Sequence, residues 1–344
     1  MPRTVDQLNV KGRKVLIRVD FNVPQDEAGN ITDDRRIRAA LPTIKNVLDR
    51  GGRAILMSHL GRPEGKPEDA RKFSLAPIAR RVGELLGQAV PLAPGCTGPA
   101  VKKVVDALKD GQAVLLENLR LTGSVVETTK KDKKTGEVKT AKVWTSFEEQ
   151  GDAGFSRGLA ELGELYVNDA FGTAHRDHSS MVGVPELLGR DKVAAGFLLM
   201  KEIEYLSNKL ASPAKPFVCI MGGAKVSDKI KLITNLLKKV DVLLIGGAMS
   251  YTFMKANGKG IGDSKVEADK LDLALEIQSK AADAKVRFEL PVDFVCGKQF
   301  DANTETRVVE GEIPAGWQGL DIGPKTRAKY AEILAGARTI VWNG

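Results

Sequence analysis

Eight short apolar runs, with helical patterns between them, constrain this chain more than any other feature. Val15–Val19, Ala54–Met57, Val114–Leu116 and Leu165–Val167 form a first series. Phe217–Met221, Val242–Ile245, Val286–Leu290 and Thr339–Trp342 form a second. Each is too short for a helix, and several are rich in β-branched residues, so they read as buried strands. Helical periodicity near Arg36–Arg50, Leu75–Leu86 and Gly158–Leu162 separates the first series; the second is separated near Lys225–Lys239, Lys265–Ala282 and Lys325–Leu334. Repeated strand–helix–strand order predicts an α/β architecture with mainly parallel sheets. At 344 residues the chain has room for about two such domains.

The boundary falls between the two series. In Gly196–Leu210 the apolar residues Phe197, Met200, Ile203, Tyr205 and Leu206 recur near helical spacing. Pro213 and Pro216 then stop the pattern. The expected organisation is an N-terminal lobe over residues 1–195, a connecting helix over 196–210 and a C-terminal lobe over 211–344. One stretch breaks the alternation. Residues 122–147 carry six lysines (Lys130, Lys131, Lys133, Lys134, Lys139, Lys142) against Glu127, Asp132 and Glu137. This polar stretch, with a turn signal at Lys133–Glu137, reads as a solvated hairpin or loop.

Charge and cysteine content narrow the class. The net charge is +8, of which this stretch supplies +3, and the rest is too scattered to argue for nucleic acid. Cys96, Cys219 and Cys296 are odd in number and far apart, which fits reduced thiols rather than a disulfide frame. His59, His175 and His178 have no cysteine or acid at zinc-ligand spacing. No apolar run approaches the ~20 residues of a membrane span, and Met1–Thr4 opens no signal segment. A cytoplasmic protein without nucleic-acid or membrane partners is expected.

In open α/β sheets, ligands bind beyond the carboxyl ends of the strands. The first strand leads into Asp20-Phe21-Asn22, and the second into Ser58-His59-Leu60-Gly61-Arg62. The third leads into Glu117-Asn118-Leu119-Arg120, and the fourth into Asn168 through Arg176. With Arg36 at the start of the first helix, Arg36, His59, Arg62, Arg120 and Arg176 converge on one rim. Arginine forks pair with phosphate or carboxylate. Singly, each arginine reads best as a surface ion pair. Together they point to a small polyanion. Asp20 and Asn22 are placed to orient its hydroxyls, although Asn22 before Val23-Pro24 also suits an Asx turn.

The second series carries Gly222-Gly223-Ala224-Lys225-Val226-Ser227-Asp228-Lys229. Read as strand, glycine turn and helix, it offers backbone N–H groups and two lysines to an oxyanion. Lys225 and Lys229, at i and i+4, are expected on one helix face. The spacing is neither Walker A nor G-x-G-x-x-G, and a plain turn with solvated lysines explains it equally well. Gly246-Gly247 follows the next strand. Two adjacent glycine turns suit a flat ligand such as a nucleoside. No G-x-S-x-G, H-E-x-x-H or paired-cysteine motif is present. Phosphoryl transfer needs mainly alignment and charge neutralisation. A carboxylate acceptor, already ionised at neutral pH, would need no general base.

These segments resemble the phosphoglycerate kinase family. The resemblance rests on Arg18–Pro24, Leu56–Pro63, Leu116–Arg120, Val167–Arg176, Gly222–Val226, Leu290–Asp293, Gly316–Pro324 and Val341–Gly344, in order along the chain. It implies two Rossmann-like lobes that close about a hinge. The implied reaction is reversible phosphoryl transfer from 1,3-bisphosphoglycerate to ADP, giving 3-phosphoglycerate and ATP, with Mg²⁺. Asp20, Phe21, Asn22, Arg36, His59, Leu60, Gly61, Arg62, Arg120 and Arg176 would hold the glycerate substrate. Arg36 and Lys225 would act on the transferring group. Gly222, Gly223, Ala224, Lys225, Lys229, Gly246, Gly247, Gly319 and Asn343 would hold the nucleotide. Asp228 is a lesser candidate for the metal. The resemblance also implies a further strand and a phosphate-binding loop with the principal Mg²⁺ aspartate beyond Gly344. The C-terminal lobe is therefore expected to be incomplete, and the 344-residue chain alone unstable or nearly inactive. A monomer is expected. The competing readings are a two-lobed nicotinamide dehydrogenase, a non-catalytic 3-phosphoglycerate-binding fragment and a nucleic-acid binder using the lysine-rich stretch.

Overall fold

A computed structural model describes residues 2–131 and 138–344, with side chains described except at 130, 131, 138, 139 and 207–209. The chain forms two compact units, residues 1–208 and 209–344.

The first unit is built on β1 (Lys14–Val19), β2 (Arg53–Met57), β3 (Ala113–Leu115), the antiparallel hairpin β4 (Gly123–Lys131) and β5 (Val138–Ser146), β6 (Leu165–Asp169) and β7 (Val193–Ala195). Five strands form one sheet in the order β3-β2-β1-β6-β7, and every pairing is parallel. Residues alternate between two apolar layers. Val15, Ile17, Ala54, Leu56 and Val167 pack on one face, and Leu16, Ile55, Val114 and Tyr166 on the other. Burial on both faces explains why these strands are near-continuous apolar runs. The order reverses direction at β1, which opens a crevice at the carboxyl ends of β1 and β6. The turn expected at Lys133–Glu137 lies outside the described residues.

The connecting segment is helical, α over Phe197–Ile203 and π over Glu204–Lys209. Its start is anchored inside the first unit. Phe197 N–H donates to Thr43 Oγ1 at 2.9 Å and Leu199 N–H to Asp169 Oδ1 at 3.1 Å.

The second unit contains β8 (Phe217–Met221), β9 (Val242–Ile245), β10 (Arg287–Glu289), β11 (Asp293–Gly297), β12 (Thr306–Glu310), β13 (Gln318–Ile322) and β14 (Thr339–Asn343). A parallel sheet runs β10-β9-β8-β14, reversing direction at β8. The strand β14 ends that order, and its Ile340 and Trp342 are exposed. A separate antiparallel sheet, β12-β11-β13, is absent from the sequence reading.

The helix expected over Lys225–Lys239 is a correction. The α-helix covers only Ile230–Leu236, and Lys225 lies in the preceding turns with Lys229 at the cap. The cause is local. Val226 is fully buried, and Ser227 donates its N–H and hydroxyl to Glu267 at 3.1 and 2.5 Å. The lysines therefore do not share a helical face, and so short a helix provides no dipole cradle.

Candidate functional site

Two loops of the first unit are joined by Asn118, which is fully buried. Its Oδ1 accepts from Leu60 N–H at 3.2 Å and Arg120 N–H at 3.1 Å. Its Nδ2 donates to Leu60 O and Phe73 O, both at 2.9 Å. Asn22 adds a third loop, because its Oδ1 accepts from Gly61 N–H at 2.9 Å. Gly61 has a φ of +61°, and a Cβ there would sit 2.4 Å from the Phe73 ring. Only glycine meets both conditions.

These loops and the segment after β6 enclose a polar cavity of about 590 Å³. Asp20, Asn22, Arg36, His59, Gly61, Arg62, Arg120 and Arg176 line it, with Glu149, Gly172 and Thr173. The arginines predicted from strand ends thus share one space. Phe21 and Leu60 do not line it. The Phe21 side chain lies in the core, its N–H donating to Ser58 Oγ at 2.9 Å, and Leu60 is buried against the same core.

Four arginines face two carboxylates in this cavity. Asp20 pairs with Arg36 at 2.7 Å and Glu149 with Arg120 at 3.2 Å. Arg120 also donates to Gly61 O at 3.0 Å, while its Nε is buried without a partner. Burial lowers the pKa of Arg120 from its ordinary value, without threatening the charge of a guanidinium. His59 is pushed down to about 2 by burial and by neighbouring Arg18 and Arg120, so it is neutral. Glu149 escaped the sequence reading, although Ser146-Phe147-Glu148-Glu149 is a helix-start signature. Ser146 Oγ accepts from Glu149 N–H and donates to its carboxylate at 2.7 Å.

In the second unit the two glycine turns touch. A Cβ on Gly247, at φ +66°, would lie 3.0 Å from Gly223 N. Gly246 N–H donates to Met221 O and Met249 N–H to Gly223 O. Beside them lies a cavity of about 260 Å³ lined by Gly223, Ala224, Gly247, Ala248, Tyr251, Lys265, Phe300, Gln318, Gly319 and Leu320. Tyr251, Lys265 and Phe300 are additions to the sequence reading. Tyr251 lies one turn beyond the Gly246-Gly247 pair, and Lys265 and Phe300 come from segments the sequence reading did not single out as binding. Gly222, Gly246 and Asn343 lie outside this lining, at the ends of β8, β9 and β14, as does Lys229, at the cap of the helix Ile230–Leu236. Gly222 N–H donates to Asn343 O at 2.8 Å, and Lys229 Nζ to Asn343 Oδ1. Lys225 and Asp228 are exposed in the loop between.

An arginine-lined anion cavity in one α/β unit and a glycine-walled apolar slot in another define a nucleotide-dependent phosphotransferase. The sequence model of the phosphoglycerate kinase family matches residues 5–344. The phosphoglycerate kinase of Anaeromyxobacter dehalogenans strain 2CP-C is 51% identical over 343 residues, 99% of this chain and 80% of that protein. That of Aquifex aeolicus is 47% identical over 343 residues, 99% of this chain and 79% of that protein. The solved phosphoglycerate kinase of Coxiella burnetii superposes with a TM-score of 0.76 at 38% identity, covering 100% of this chain and 80% of that one. That of Pyrococcus horikoshii OT3 gives 0.79 at 30% identity with the same coverage. The chain belongs to the phosphoglycerate kinase family and is a kinase.

Proposed function

We propose that this chain carries out reversible phosphoryl transfer from 1,3-bisphosphoglycerate to ADP, yielding 3-phosphoglycerate and ATP, as a cytoplasmic monomer. The observation that carries the reading is the cavity of Arg36, Arg62, Arg120 and Arg176 with neutral His59 at the strand ends. Its excess of fixed positive charge suits a ligand with phosphate at one end and carboxylate at the other. Asp20 and Asn22 orient the glycerate. Arg36, held by Asp20, neutralises the transferring group, and Lys225 on its exposed loop follows that group toward the nucleotide. The nucleoside lies against Gly223, Ala224, Gly247 and Gly319, while Lys229 and Asn343 face the phosphates.

Among the described residues no three His, Cys, Asp or Glu side chains group as a self-sufficient metal site. Mg²⁺ is commonly held through one or two carboxylates together with phosphate oxygens and water, and Asp228 is exposed on the loop after β8. Asp228 would supply a carboxylate, and the ion would neutralise nucleotide phosphate charge. Among the described residues no helix is long and apolar enough to cross a membrane.

The test follows ATP formation from 1,3-bisphosphoglycerate and MgADP by the protein as its source makes it, with calorimetric titration of 3-phosphoglycerate in parallel. Turnover that falls at least a hundredfold in Arg36→Met supports the reading. Absence of both turnover and 3-phosphoglycerate binding in the unaltered protein refutes it.

A further inference from the structure

We propose that Arg18 and Glu148, a buried pair beneath the arginine cavity, hold His59 as the neutral tautomer with its proton on Nε2, so that it presents an N–H donor to the ligand. Arg18 is the largest fully buried side chain described, an unusual position for a charge. Its Nη2 lies 3.2 Å from His59 Nδ1. A guanidinium has donors and no acceptor, so Nδ1 must accept and the single ring proton must sit on Nε2. His59 lines the cavity, and Nε2 is the ring nitrogen left to face it.

The other two guanidinium nitrogens of Arg18 are held as well. Nε donates to Ser180 Oγ at 2.8 Å, and Nη1 to Val19 O. Glu148, also fully buried, lies 3.9 Å from Nη2; burial raises its pKa, while Arg18 and the bonds from Ser180 act in the opposite direction. It accepts from Ser180 N–H at 2.9 Å and from the Ser180 hydroxyl at 2.5 Å. Tyr166 pins the same segment by donating to Ser180 O at 2.8 Å. Four elements therefore fix one guanidinium, and through it one imidazole edge. The charged and titratable groups around His59 are Arg18, Arg120, Arg36 and His178, and the cations among them oppose a second ring proton. Arg18 is thus a positioning residue. The inference rests on the cavity reading for its ligand, but the tautomer belongs to the protein alone.

The test is long-range ¹⁵N–¹H NMR of histidine-labelled protein, which has only three histidines. His59→Gln identifies the signal. From pH 5 to 8 the unliganded protein is expected to show unprotonated Nδ1 and protonated Nε2, without titration. A proton on Nδ1, or an imidazolium in that range, overturns the proposal. Arg18→Met combined with Glu148→Gln removes the pair without stranding a charge. This variant is expected to mix tautomers and to weaken 3-phosphoglycerate binding about tenfold, while burial, the largest influence on His59, keeps the ring neutral. Glu148→Gln alone, which keeps the Arg18 contact, is expected to retain the tautomer. An unchanged tautomer and an affinity within twofold in the double variant refute the positioning role. His59→Phe with undiminished 3-phosphoglycerate binding would instead sink the cavity reading and the donor role, leaving the tautomer measurement standing.

Discussion

Replacing Asn118 by alanine is expected to damage one substrate site and spare the other. The side chain makes four hydrogen bonds, to Leu60 N–H, Leu60 O, Phe73 O and Arg120 N–H. Leu60 and Arg120 lie in the loops that carry His59, Gly61, Arg62 and Arg120, and Phe73, just after the helix Asp69–Lys72, packs its ring against Gly61. At about 1 kcal/mol net per buried hydrogen bond, truncation costs about 4 kcal/mol, less whatever water recovers in the space left behind. For a unit of 208 residues, each kcal/mol is worth roughly 2–4 °C in Tm. Differential scanning calorimetry is therefore expected to show the first unit melting about 8–16 °C lower. Below that transition, titration calorimetry is expected to show 3-phosphoglycerate binding weakened about tenfold or more. MgADP binding is expected to stay within twofold, because the glycine-walled cavity lies in the second unit. A Tm shift under about 3 °C refutes the energetic reasoning. Equal weakening of both ligands refutes the assignment of Asn118 to one site.

Gly61→Ala places a Cβ 2.4 Å from Phe73 at a φ of +61°. It is expected to lower stability by about 2–4 kcal/mol in urea unfolding and to raise the KM for 3-phosphoglycerate with little change for ATP. Burial pushes the Asp169 carboxyl up to about 6, above the unfolded value near 3.8. The native state then holds the extra proton between those values, so this group's contribution to stability falls as pH rises from 4 to 6 and is level above. The full effect is about 3 kcal/mol. Asp169→Asn, measured against the unaltered protein by urea unfolding, is expected to gain relative stability over that window; a relative loss there contradicts the argument. Phe300, 81% exposed at the rim of the second cavity, has almost no core role. Phe300→Ala is expected to weaken ADP binding about fivefold and to leave stability within about 0.5 kcal/mol.

What the sequence makes legible follows from how each residue is buried. The central strands β1, β2, β8 and β9 are apolar on both faces, so their runs stand out, and the expected bounds fall within one residue of those observed. In β11 the buried positions include Asp293 and Gly297 as well as Phe294 and Cys296, and β12 and β13 are largely exposed or half-buried, so no apolar run stands out. The same logic separates the site residues. Arginines at strand ends are recognisable because strand ends are where α/β ligands bind. Lys225 and Lys229 mislead, because i, i+4 spacing is compatible with a turn as well as a helix. Burial of Val226 and the Ser227–Glu267 contact decide for the turn. Glu148 and Glu149 sit at the root of a lysine-rich hairpin, where carboxylates ordinarily mark solvent. Their role appears only when the chain returns them to β1 and β3.

The two cavities solve opposite electrostatic problems. The first gathers arginines, and like charges so close would splay the loops apart if left alone. Fixed acceptors hold them instead: Asp20 on Arg36, Glu149 and Gly61 O on Arg120, and Glu148 behind Arg18. Arg36 and Arg120 are thus held in place by the protein itself, so a polyanion meets these donors already aimed, with little reorganisation. His59 and His178 contribute no charge. Burial pushes His59 down to about 2 and His178 to about 4, too weakly basic to take a proton at neutral pH. A reaction needing a general base would be poorly served by such a site. Phosphoryl transfer to and from an ionised carboxylate needs none, and the same suppression of basicity leaves His59 a constant hydrogen-bond donor.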